Sequence, residues 1–156
     1  RPIGLGCFRH YFALRCRSGC RAGVLATVKG PSGMLYALLC YNDETITSAW
    51  SKEEDDAVMG RLSKITQALA EKGRLGPVAR LLPTTAATTL RKTRGEALVI
   101  DGPFAETKEQ FLGFYMVDCD TLEDALDVAR DLAAANPGVG SYEIRPVGVY
   151  FPAAAK

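Results

Sequence analysis

The sequence predicts an α+β domain in which two β-α-β halves share one antiparallel sheet. Three observations predict it. Short apolar runs alternate with two long stretches of three- and four-residue apolar spacing, in the order β, long α, a β-hairpin region, β, α, β. Each long stretch opens on capping residues and closes on glycine or proline. Residues 35–41 and 111–117 are apolar at both parities, whereas a strand solvated on one face alternates.

The first strand is Leu35-Tyr36-Ala37-Leu38-Leu39-Cys40-Tyr41, ended by Asn42-Asp43-Glu44. Ser51 and Glu54 form a capping box. Glu53, Glu54, Asp55 and Asp56 stand where a helix dipole favours anions, so a solvated helix start is preferred to a metal site. Val58, Met59, Leu62, Ile65 and Leu69 then mark one helix face, and Gly73 stops it. Val78–Leu82 and Thr88–Lys92 read as short strands either side of a Pro83 connection. Ala97–Ile100 is another, stopped by Asp101-Gly102-Pro103. Leu112–Cys119 is the clearest strand after the first. Thr121 and Asp124 open the second helix, with Leu122, Ala125, Leu126, Ala129, Leu132 and Ala133 on one face and Asn136-Pro137-Gly138 closing it. Tyr142–Phe151 is the last strand, where Pro146 implies an edge or a bulge.

This order is a ferredoxin-like split β-α-β sandwich with helices on one sheet face. No helix remains to cover the other face. A second copy packed sheet to sheet is the economical cover, which predicts a homodimer with a central barrel-like cavity, a dimeric α+β barrel.

A length of 156 residues fits one domain, and 47% hydrophobic with 24% charged residues excludes collagen, rods and disorder. No apolar run is long enough for a membrane span. The net charge of +1 averages two unlike pieces. Residues 1–33 hold six basic residues and no acid, with three of the five cysteines and the single histidine. Residues 34–156 hold 13 basic against 18 acidic residues. The boundary falls at Gly30-Pro31-Ser32-Gly33, followed by Met34.

The expected division is a basic extension over 1–33 outside the fold, a domain over 34–152 and a tail over 153–156, with Met34 the natural start. Other readings of the extension stay open. It is Arg-rich and acid-free like a transit peptide, whereas Val24–Val28 is too short for a secretory signal. Cys7, His10, Cys16 and Cys20 would supply four zinc ligands, at a spacing of no standard finger. Basic residues among Phe8, Tyr11 and Phe12 would suit nucleic acid. For the body, the acidic balance disfavours nucleic-acid binding.

Residues 101–110 read DGPFAETKEQ, with MLYALLCYNDE from Met34, ALVIDGPF from Ala97, FLGFYMVDC from Phe111 and YEIRPV from Tyr142. Together they resemble the DGPF (YCII-related) family of small bacterial proteins, over 34–152. The resemblance implies a dimeric α+β barrel of mostly unassigned function. Family members often occur beside extracytoplasmic-function sigma factors, which implies a sigma factor as a regulatory partner. The wider superfamily implies enzymes with a His–Asp pair in a cleft. Asp101 matches that aspartate, but the body has no histidine, so the pair does not carry over. Asp101 alone would act as acid or base only with its pKa raised toward neutrality.

Two readings of Asp101 stand side by side. Asp-Gly-Pro is turn chemistry, with Gly102 free to take positive φ and Pro103 stiffening the exit. A rigid loop carrying Phe104, Glu106 and Lys108 between two strands also suits a ligand mouth. Arg91 and Arg145 would anchor a carboxylate there, and Tyr41 and Trp50 would line a pocket or pack at its rim. Cys40 and Cys119 read as buried, reduced thiols of a cytoplasmic protein. No Cys-x-x-Cys, phosphate loop, dinucleotide fingerprint or His-rich motif occurs in the body, so neither cofactor nor metal is expected there. The leading expectation is a cytoplasmic protein that binds an unidentified small, anionic molecule at the DGPF loop. Lyase- or isomerase-like proton transfer by Asp101 is the catalytic version. The alternative is a regulatory or interaction module acting with a sigma factor.

Overall fold

The computed structural model describes residues 33–152. The candidate ligands Cys7, His10, Cys16 and Cys20, the rest of the basic extension and the 153–156 tail lie outside them. Six strands and three helices follow in the order β1 (Met34–Asn42), α1 (Glu44–Ser48), α2 (Lys52–Glu71), β2 (Leu75–Arg80), β3 (Thr88–Arg91), β4 (Leu98–Asp101), β5 (Gln110–Cys119), α3 (Leu122–Ala135) and β6 (Gly140–Pro146).

Four strands form one sheet in the order β2-β5-β1-β6, every pairing antiparallel. The doubly apolar runs are its two central strands, and register sets Tyr36 opposite Val117 and Leu38 opposite Tyr115. Central placement is what demanded apolar residues at both parities. Leaving aside β3 and β4, this is the ferredoxin-like arrangement. The hairpin region resolves differently from the simplest sequence reading. Val78–Arg80 belongs to β2, which begins at Leu75 and pairs with β5, while β3 pairs with β4 as a separate two-stranded arm. The last strand stops at Pro146, earlier than the expected Phe151; Pro146 is tolerated because β6 is an edge strand, and the neighbouring Val147 N–H still donates to the Leu35 carbonyl at 2.8 Å.

Both capping boxes form. Ser51 accepts from the Glu54 N–H and Thr121 from the Asp124 N–H, with the acidic side chains returning the bond. Gly73 ends α2 at φ +66°, a conformation that costs glycine little. Val58, Leu62 and Leu69 of α2 are buried as the periodicity required and Ile65 is half-buried, but the expected Met59 is exposed. On α3 the buried face is Ala125, Val128, Ala129, Leu132 and Ala135, and the expected Leu122 and Ala133 are exposed. A short helix, α1, follows β1 where only a strand end was expected, because Asp43 caps it by accepting from the Thr45 N–H at 2.8 Å.

The core lies between the helices and one sheet face. Leu38, Val117 and Leu132 are completely buried there. Each contributes roughly 1.5–3 kcal/mol by leaving water. Alternation sends Leu35, Ala37 and Leu39 of β1 and Phe114 and Met116 of β5 to the opposite face, which no helix of the described residues covers. Gly113 lets β2 approach: a Cβ there would stand 2.3 Å from the Ala79 carbonyl oxygen.

Candidate functional site

Between α2 and the sheet lies a cavity of about 170 Å³. Its floor is Cys40 of β1, Gly113 and Tyr115 of β5, and Tyr142 of β6, all on the helix-facing side of the sheet. Val58, Met59 and Leu62 of α2 form the roof. Thr47 and Trp50 close one side, and Asn136, just past α3, also lines it. Cys40, small for a central strand, leaves part of this space open.

The interior carries polar groups but little charge. Asp55 and Arg80 are the only charged lining residues among the described residues, and they pair with each other. Arg80 Nη1 contacts Asp55 Oδ1 at 2.8 Å and Oδ2 at 3.1 Å, joining the first turn of α2 to edge strand β2. The Tyr142 hydroxyl is buried and has no hydrogen-bond partner among the described residues. Cys40 and Asn136 are near enough to perturb its ionisation without reaching hydrogen-bonding geometry. Burial, with Cys40 nearby, pushes the Tyr142 phenol well above its usual range. Burial likewise raises Tyr115 and the Cys40 thiol. All three groups are therefore protonated at neutral pH. They can donate hydrogen bonds, and none of them is a ready base or thiolate nucleophile.

Beside the cavity, a wider recess shares Thr47, Asp55, Arg80 and Leu112 with it. Its far wall is set by Glu44, whose carboxylate accepts from the Thr84 N–H at 2.7 Å and hydroxyl at 2.6 Å. The Glu44 N–H donates to the Gln110 side-chain oxygen at 3.0 Å. Glu44 thereby ties α1 to the chain leaving β2 and to the start of β5.

The residues singled out from sequence lie elsewhere. Asp101 ends β4 opposite Thr88 and is exposed. Gly102 has φ +107°, its N–H donates to the Ala87 carbonyl at 2.8 Å and its carbonyl accepts from the Thr89 hydroxyl at 2.8 Å. The Asp-Gly turn thus locks the base of the arm. Pro103, Phe104, Glu106 and Lys108 are exposed, Phe104 at 80%. Arg91 stands at the other end of the arm, opposite Leu98. Arg145 is exposed on β6 opposite Ala37, with its Nε 3.7 Å from the Glu143 carboxylate. Tyr41 packs on Phe111, ring centres 5.5 Å apart, and its hydroxyl donates to Glu143 at 3.3 Å. Within one chain, then, Asp101, Arg91 and Arg145 are not brought together, and none of these residues lines the cavity. Trp50, named with Tyr41 as a flanking aromatic, does line it.

Sequence reasoning passed over Cys40, Tyr115, Tyr142, Asn136 and the Asp55–Arg80 pair as parts of one site. A weak signal existed: polar-tipped residues at helix-facing positions of otherwise aliphatic strands.

The fold defines a small ferredoxin-like α+β domain with an inserted hairpin arm and a nearly uncharged, half-open cavity between α2 and the sheet. Residues 34–148 match the YCII-related domain family. An uncharacterised protein of Rhizobium meliloti (strain 1021) is 66% identical over 119 residues, covering 76% of this chain and 96% of that protein. The chain belongs to the YCII-related family. No helix of the described residues is long and apolar enough to cross a membrane.

Proposed function

We propose that this YCII-family protein is a homodimer that holds a small molecule in the cavity between α2 and the sheet of each subunit. The observation that carries the binding reading is the interior space of about 170 Å³. It is lined by three protonated donors and apolar walls. The groups there suit holding and orienting a ligand better than moving a proton. Two free thiols, Cys40 and Cys119, suit a reducing compartment, and the cytoplasm is the proposed location.

The dimer rests on the helix-free sheet face. Leu35, Leu39 and Phe114 form an apolar strip across its two central strands. A self-complementary contact by this face gives the closed symmetry most soluble oligomers have. Leu39→Asp with Phe114→Asp is expected to convert the particle to a monomer in analytical ultracentrifugation. A wild-type chain already monomeric at micromolar concentration removes the dimer.

Thermal-shift screening against a metabolite collection tests the cavity. Cys40→Leu fills the space from the floor, and Asp101→Asn alters the DGPF loop alone. Ligands lost in Cys40→Leu and kept in Asp101→Asn support the cavity. The reverse pattern moves the site to the loop expected from sequence.

A second reading, a partner-binding module acting with a sigma factor, is favoured by the arm. Leu90, Leu98, Val99 and Phe104 are all more than half exposed there, beside cationic Arg91, Lys92 and Arg94. Failure of every ligand in the screen would favour it.

A further inference from the structure

From the cavity's size, charge and donors we infer that its ligand is an uncharged, single-ring aromatic or conjugated molecule bearing a hydrogen-bond acceptor such as a carbonyl. The inference rests on the cavity reading above and specifies what the cavity takes. Size comes first. An engineered cavity of about 150 Å³ lined by Leu, Ile and Phe binds benzene. The space here, about 170 Å³, holds one such ring with a short substituent. The neighbouring recess beyond Thr47 and Leu112 leaves room for that substituent to extend.

Charge comes second. An anionic ligand needs an unspent cation, and the single cation of the lining, Arg80, already contacts both oxygens of Asp55. A carboxylate entering this space would compete with Asp55 for the half-exposed Arg80, which engages Asp55 through Nη1, and would give up its own hydration to do so, so it gains little over a neutral ligand. A cationic ligand meets the same obstacle in reverse. This departs from the anionic molecule expected from the sequence.

The walls and donors come third. Trp50, Tyr115 and Met59 offer flat or polarisable surfaces of the kind that pack against a ring. The Tyr142 hydroxyl is buried and unpaired among the described residues, so an acceptor on the ligand would satisfy it. Burial keeps that phenol and its neighbour Tyr115 protonated, hence donors, across the physiological range. A pure hydrocarbon would fill the space and leave the donor unsatisfied.

Three probes of similar size separate these claims: acetophenone, neutral with an acceptor; benzoate, its anionic counterpart; and ethylbenzene, neutral without an acceptor. Trp50 is the only tryptophan of the chain and lines the cavity, so its fluorescence reports occupancy, with titration calorimetry alongside. Acetophenone is expected to bind saturably, about fivefold to tenfold tighter than either of the others. In Tyr142→Phe its advantage over ethylbenzene should vanish while ethylbenzene binds as before. Should that variant not fold, the wild-type ranking of the three probes decides alone.

Benzoate binding as tightly as acetophenone overturns the ligand class. If Cys40→Leu then abolishes the benzoate signal, the cavity reading survives that failure. Equal binding of acetophenone and ethylbenzene to the wild type removes the acceptor claim. Binding of no probe overturns both the class and the cavity.

Discussion

Replacing Tyr142 by phenylalanine is the most informative single change to the unliganded protein. The ring stays and fills the same volume, and only the hydroxyl leaves. That hydroxyl is buried and meets no hydrogen-bond partner among the described residues. A buried, unsatisfied polar group costs about 1–3 kcal/mol of folding free energy. Tyr142 as a residue is only half-buried, which argues for the lower end. Tyr142→Phe is therefore expected to stabilise the protein by about 1 kcal/mol. For a domain of this size that is a rise in Tm of about 3–5 °C. Urea unfolding followed by circular dichroism measures it, with an unchanged slope showing that the denatured state is unaltered. A loss of about 1 kcal/mol or more refutes the reasoning. It would mean that the hydroxyl bonds Cys40 or Asn136 in solution, and a double-mutant cycle with Asn136→Ala would then show a coupling.

Three other outcomes follow from particular contacts. Gly113→Ala places a Cβ against the Ala79 carbonyl oxygen, so it should weaken β2–β5 pairing and cost about 2–4 kcal/mol in denaturant unfolding; a neutral result would mean that edge strand β2 is free to shift. Ser51→Ala removes the α2 cap and should cost about 1 kcal/mol by the same assay, with Ser51→Gly costing less. Cys40, Tyr115 and Tyr142 all have pKa values raised by burial, so their contribution to stability is complete below the ordinary thiol value of 9.0. It is lost as pH rises past that value and past the ordinary phenol value of 10.0. Unfolding free energy should therefore fall on the alkaline side, and Cys40→Ala should reduce the loss without moving its onset, because burial also raises the Cys119 thiol. Asp43 runs the other way: bonds from Thr45 lower its pKa, and its contribution is lost as pH falls below the ordinary value of 3.8.

The legible part of the fold is the part written in neighbouring residues. Ser51 with Glu54, and Thr121 with Asp124, announce helix starts because a cap needs only a side chain and an N–H three residues on. Gly73 and Gly102 announce reversals because positive φ is a property of one residue. The doubly apolar runs announce central strands because burial on two faces leaves no polar parity. Even the order β, α, hairpin, β, α, β was enough to give the topology, since short right-handed connections leave few alternatives.

The site was far less legible. The DGPF string from Asp101 to Phe104 is conspicuous, yet in the single chain it locks the base of an exposed arm. The cavity is assembled from Cys40, Trp50, Tyr115, Asn136 and Tyr142, which share no motif and lie on separate elements. Nothing local distinguishes Tyr142, on the cavity floor, from Tyr41, on the other sheet face, because which face a strand residue meets depends on register across the sheet. The Asp55–Arg80 pair spans 25 positions and the Glu44–Thr84 pair 40. By itself, then, the sequence determined helix ends, strand centres, the family and the uneven charge along the chain, all properties of short windows. Only the tertiary structure decided which polar groups share an interior and which charges cancel. Those are set by through-space distances between residues far apart in the chain, and no pattern of neighbours encodes them.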